Sequence, residues 1–208
     1  MKRELISNVL VFCLLVVLGV GTRWISEANY PKLSGLAANE STNMTSIGLA
    51  NFTAIGAISL FAGYYFRPRI AAFLVPLAVM IVSNLCLKHY NNFPQMGIVY
   101  IALLLPVAIG MVLRRNLKVW SVVTGALATS ITFFLITNFA EWAFYDLYPH
   151  TAAGLIDGYI AAIPFFRNTV LSDLLFSAVI FGSYWLAVSS GILERREPQL
   201  APAPIQQP

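Results

Sequence analysis

Arg67-Pro68-Arg69 is followed by IAAFLVPLAVMIVSNLCL, residues 70–87, before Lys88 restores a charge. These eighteen residues carry no ionisable side chain except the thiol of Cys86. An uncharged apolar run of that length predicts a helix that crosses a bilayer, since a span takes roughly 20 apolar residues. The pattern repeats on both sides of it. The chain is predicted to span at about 7–22, 50–66, 70–87, 96–113, 119–139 and 170–191. The fold class is therefore all-α: a polytopic membrane protein of six transmembrane helices in a single domain, residues 1–196. The Pro- and Gln-rich stretch 197–208 is expected to be a disordered cytoplasmic tail.

The segment Thr151–Phe165 is apolar but only 15 residues long, and it holds Asp157, two glycines and Pro164. An extra interfacial or re-entrant helix is expected there rather than a seventh span. Charge supports an even number of crossings. With both termini on one side, that side carries Lys2, Arg3, Arg67, Arg69, Arg114, Arg115, Lys118, Arg195 and Arg196, and the other carries Arg23, Lys32, Lys88 and Arg167. Nine basic residues against four is a positive-inside bias with both termini cytoplasmic. The long connections, 23–49 and 140–168, then lie outside.

Composition agrees. Of 208 residues, 58% are hydrophobic and 11% charged, with mean hydropathy +0.74. A soluble domain carries about 25% charge, so a soluble enzyme, a nucleic-acid binder and a disulfide scaffold are excluded. The pI near 9 follows from the topology charges and implies no nucleic-acid partner. No nucleotide-binding loop, zinc-protease, Cys-x-x-Cys or nucleophile-elbow motif occurs. His150 stands near Asp157 without a nucleophile beside them, so no enzymatic activity is expected. No arginine ladder or potassium-filter sequence occurs, and no inverted repeat stands out. Three N-x-S/T sequons, at Asn39, Asn43 and Asn51, matter only if the chain passes through an endoplasmic reticulum.

Polar residues gather at the outer ends of the predicted spans. Asn51 opens span two; Asn84, Cys86, Lys88 and His89 close span three; Asn138, Glu141 and Trp142 close span five; Arg167, Asn168 and Asp173 open span six. Polar groups at membrane depth are costly and mark either function or bundle packing. One outward-facing pocket would collect them; ordinary headgroup contacts at helix ends are the alternative. Aromatic residues such as Tyr100, Trp142, Tyr148 and Phe166 fall at the same level, as an interfacial belt or as stacking surfaces. Cys86 and His89 are three apart on one helix and could hold a metal, although no further ligand follows in a recognisable pattern. Cys13 is expected to be buried in span one at a different depth, so no disulfide is expected. Small residues four apart, Ala50/Ala54, Ala126/Ser130 and Ala178/Gly182, are expected to serve packing inside the bundle.

Four phrases together carry a resemblance: Asn51–Gly63, Val75–Asn84, Thr137–Trp142, and Ala161–Asn168 followed by Asp173. Over about residues 45–190 the chain resembles an uncharacterised family of small bacterial membrane proteins, itself similar to the substrate-binding S-components of energy-coupling-factor (ECF) vitamin transporters. The resemblance implies a multi-pass protein of the bacterial inner membrane that captures a small vitamin-like molecule in an outward-facing pocket. Asn51, Asn84, Asn138, Glu141, Trp142, Arg167, Asn168 and Asp173 would line or support that pocket. It further implies that an ECF-type energising module is a candidate partner. The Ala-xxx-Ala face that S-components present to a shared module is replaced here by Val and Leu on helix one. Some solitary S-components that take up cobalamin ligate its cobalt through a pocket cysteine, for which Cys86 is the candidate; no resident cofactor is implied. The alternative function is a non-catalytic membrane scaffold or assembly subunit whose polar cluster is structural.

Overall fold

The computed structural model describes residues 2–28, 48–87 and 93–194. Six helices make up most of them: α1 (Lys2–Ala28), α2 (Ile55–Tyr65), α3 (Arg69–Leu87), α4 (Phe93–Leu113), α5 (Val119–Phe144) and α6 (Ala152–Ser189). No strand occurs among the described residues. Five of the helices are long and apolar enough to cross a membrane; α2 is too short. Leucine, isoleucine and valine side chains cover the outside, among them Leu10, Leu14, Val17, Ile131 and Leu135. Ser59, Ser83, Ser130 and Ser172 lie inside. That is the polarity of a bundle solvated by lipid rather than water.

All eleven residues of α2 are buried, and α1, α3, α4, α5 and α6 all pack against it. At 1.5 Å per residue it is roughly 16 Å long, about half of the hydrocarbon thickness a span must cross. Its contact with α4 is backbone to backbone. A Cβ on Gly63 would strike the carbonyl of Val107, and one on Gly110 would strike the carbonyl of Leu60. Beyond the crossing, Phe61, Tyr64 and Tyr65 interlock with Phe181 and Tyr184 of α6, the Phe61 and Phe181 rings meeting edge to face at 5.1 Å. Such pairs add about 0.5–1.5 kcal/mol each beyond area burial.

Before α2 the chain is irregular. Residues 48–54 form turns and bends, with Gly48 and Asn51 at positive φ (54° and 60°). Non-helical backbone at this depth must be satisfied by protein, and neighbouring helices do so. Ser26 donates to the Leu49 carbonyl at 2.9 Å, Thr22 accepts from the Ala54 amide at 3.1 Å, and Asn168 donates to the carbonyls of Gly48 and Ala50 at 3.1 and 2.9 Å.

Several expected boundaries move. Span two was expected at 50–66; only 55–65 is helical, because the backbone of the first five residues is held by side chains of α1 and α6 instead of by its own ladder. Span one was expected to end at Thr22, but α1 continues to Ala28, since neither Gly nor Pro interrupts 22–28 and Arg23 turns inward. Span five runs on to Phe144, taking Glu141 and Trp142 into the helix. The separate interfacial helix at 151–165 is not found: it fuses with span six into α6, 38 residues long. Thr151 caps that helix by accepting from the Gly154 amide at 3.2 Å, and Pro164 sits inside it without ending it. Interior prolines occur also in α3 and α4, as packed membrane helices tolerate.

The ends of the bundle differ. One gathers Arg67, Arg69, Arg114, Arg115 and Lys118 at the short links α2–α3 and α4–α5. There Arg114 donates from Nε to the Gly63 carbonyl at 2.7 Å and from Nη2 to the Phe66 carbonyl at 2.5 Å, closing the C-terminus of α2. The other end gathers Asn51, Asn84, Asn138, Glu141 and Asn168. Ala126 and Ser130 are buried, as are Ala50 and Ala54. Ala178 and Gly182 are not used for internal packing: they are exposed, on a groove of about 680 Å³ between α5 and α6. The tail 197–208 and the sequons at Asn39 and Asn43 lie outside the described residues.

Candidate functional site

Two adjoining cavities occupy the polar end. The larger, about 570 Å³, lies between α4, α5 and α6. Phe133, Phe134, Tyr148, Phe165 and Phe166 form its apolar walls, and Asn51, Thr137, Asn138, Glu141 and Thr169 supply polar groups. The smaller, about 110 Å³, lies deeper, at the N-terminus of α2. Every helix contributes to it: Arg23, Ser26 and Glu27 from α1, Gly56 from α2, Met80 from α3, Leu103 from α4, Thr129 from α5, and Ser172 and Asp173 from α6. Asn51, Val99, Phe133 and Thr169 line both.

Asp173 is 3% exposed. It accepts from Ser130 Oγ at 2.6 Å and from the Ala57 backbone amide. The carboxylate thus sits on the N-terminus of α2, where unpaired amides and the helix dipole favour negative charge. Gly56 is required there, because a Cβ would collide with that carboxylate.

Arg23 is the other buried charge, 6% exposed. Its Nη1 donates to Ser83 Oγ at 2.7 Å, Met80 Sδ at 2.8 Å and Asn84 Oδ1 at 3.2 Å. Asn84 in turn donates to the Tyr100 hydroxyl at 3.2 Å. This chain ties α1, α3 and α4 together. Ser83 passes its own proton to the carbonyls of Val79 and Met80.

The eight residues expected from sequence separate into two groups. Asn51, Asn138, Glu141 and Asp173 line the cavities. Asn84 is held between Arg23 and Tyr100, Asn168 holds the irregular stretch before α2, and neither lines a cavity. Trp142 supports the turn after α5, donating to the Pro149 carbonyl at 3.0 Å beside the His150 ring. Arg167 is exposed and lines neither cavity. Cys86 is exposed on α3, away from both cavities, and His89 lies outside the described residues. Cys13, expected to be buried, also faces outward, and both cysteines are free. Among the described residues no three His, Cys, Asp or Glu side chains cluster as a metal site.

Sequence reasoning missed Arg23, Thr129 and Ser130. In the sequence Arg23 reads only as a topology charge, one residue beyond the expected end of span one at Thr22. Thr129-Ser130 was legible as a polar pair midway along an apolar span, but one that a small-residue packing pattern absorbed.

The chain belongs to DUF6580, a family of unknown function whose match covers residues 3–199. No curated protein and no solved structure matches it.

Proposed function

We propose that this member of a family of unknown function captures a small molecule in the paired cavities and carries it inward, in the manner of an S-component. The observation that carries the reading is the 570 Å³ aromatic-walled chamber adjoining a polar pocket at membrane depth. Ligand sites are commonly 300–1,000 Å³, mostly apolar, with a few convergent polar groups. In this reading α2 with its irregular entry completes a sixth crossing. The arginine-rich end, with both termini, is cytoplasmic by the positive-inside rule, and the chamber faces outward across a bacterial inner membrane. A vitamin-sized molecule suits the chamber. A corrinoid does not, being larger than a drug-sized ligand, and Cys86 is not placed to reach one. An energising module would meet α1 at the exposed Leu10, Leu14 and Val17.

A scaffold role is the second reading. It is favoured by the engagement of Asn84, Asn168 and Asp173 in bonds to other segments of the bundle. Substitution at Asn138 separates the readings. Among the described residues the Asn138 amide donates within its own helix, to the Phe134 carbonyl. Under the capture reading Asn138→Ala loses a co-purifying metabolite, seen by native mass spectrometry, while expression and thermal stability stay unchanged. Under the scaffold reading wild type releases no stoichiometric metabolite, and polar-end substitutions alter only protein level or the recovery of a partner subunit.

A further inference from the structure

We infer that the captured molecule carries a carboxylate and that Arg23 is the residue that holds it. This rests on the capture reading and names its ligand class. Arg23 lies within an apolar helix and is 6% exposed, yet the three acceptors it meets are all neutral: a thioether, a hydroxyl and an amide. All three are met by Nη1. Nε and Nη2 have no partner among the described residues, and Arg23 forms no ion pair there. A buried cation without an anion is unfavourable, no anion pairs with Arg23 among the described residues, and a guanidinium edge with two N–H groups unpartnered there is the natural match for a carboxylate.

The acids nearby do not fill that role. Asp173 is committed to Ser130 and to the start of α2. Glu27, one turn along α1 and on the same pocket, makes its own contact and no ion pair with Arg23. A second polar group without a partner belongs to a residue lining the same pocket. Thr129 Oγ1 is buried, its residue 1% exposed, with no hydrogen bond. A hydroxyl and a guanidinium edge on one 110 Å³ pocket make an anion subsite with room for a carboxylate and few further atoms. The body of the ligand then lies in the aromatic chamber, beside Phe133 and Phe166.

The test uses the full chain purified in native-lipid nanodiscs. Small molecules released from it are identified by mass spectrometry. Thermal shifts are read with nicotinate and benzoate against nicotinamide and benzamide, pairs that differ in charge but hardly in shape. A released molecule with a carboxylate, together with stabilisation by the acids and not the amides, is expected. Arg23→Gln should weaken binding about tenfold or more, as loss of a charge-assisted pair does. Thr129→Val, nearly isosteric, should weaken it several-fold with an unchanged melting temperature in the empty protein. If Arg23→Gln does not fold, Thr129→Val decides: unchanged affinity for the released molecule overturns the inference. A released neutral or cationic molecule, or equal stabilisation by acid and amide, also overturns it and leaves capture standing. A wild-type protein that releases nothing and responds to no probe overturns both.

Discussion

Gly63 and Gly110 each sit where a single methyl group meets a backbone carbonyl of the opposing helix. Carbonyls move only with their helices, so Gly63→Ala or Gly110→Ala should cost about 1–3 kcal/mol, as overpacking does; thermal unfolding in detergent measures it. Arg114 acts on the same helix from its other end. Burial first, then repulsion from Arg67 and Arg69, lowers its pKa from the usual guanidinium value. An arginine starts so high that it stays charged at neutral pH, so no pH dependence is expected from it. Arg114→Ala removes two charge-assisted bonds to Gly63 and Phe66, each worth about 1.5–3 kcal/mol. Arg114→Lys, with one compact ammonium, should recover part of that loss in the same unfolding assay. These two glycines were not legible as contact points, because a glycine in an apolar run does not say which helix approaches it. The depth of Asp173 was legible as an acid inside an apolar stretch; its service to the start of α2 was not, since that amide lies more than a hundred residues earlier in the chain.

At the scale of elements, the irregular stretch 48–54 depends on Asn168. Asn168→Ala leaves the carbonyl of buried Ala50 without its donor, at about 1–3 kcal/mol, while the carbonyl of exposed Gly48 can turn to water instead. Hydrogen exchange should then quicken across residues 48–58 and not in α4. Faster exchange spread evenly over every helix would instead mean that Asn168 serves global stability. Helix positions were readable from charge-free runs because hydropathy is a local property: α3 and α4 lie within a few residues of expectation. The failures occurred where a terminus is decided by tertiary partners. Arg23 looked like a stop because an arginine usually seeks water; here Ser83, Met80 and Asn84 replace that water. Pro164 and Asp157 looked like a break in α6, yet the helix continues through both.

The whole molecule is polarised, with arginines and lysine closing one end and cavities opening at the other. The topology inferred from that polarity makes a labelling prediction. In a background of Cys13→Ser and Cys86→Ser, Asn116→Cys should react with a membrane-impermeant maleimide only in inverted vesicles, and Asp146→Cys only in intact cells. The opposite pattern would place the chamber on the cytoplasmic side. The helical membrane class was legible because composition alone decides it, whereas the site was half legible. Polar residues at one level announced a cluster, but which of them face a cavity depends on helix rotation, which an unbroken apolar run does not encode. The shortness of α2 also bears on biogenesis. Eleven buried residues, too short to span alone, have partners in α4 and in α6, where Asp173 accepts from the Ala57 amide and Phe181 and Tyr184 interlock with Phe61 and Tyr64. Those α6 residues leave the ribosome more than a hundred residues after α2. The centre of the bundle, although made early, therefore has to wait in an unfinished state until α6 arrives, and any truncation that removes α6 should deliver a chain to quality-control proteolysis rather than a smaller working protein.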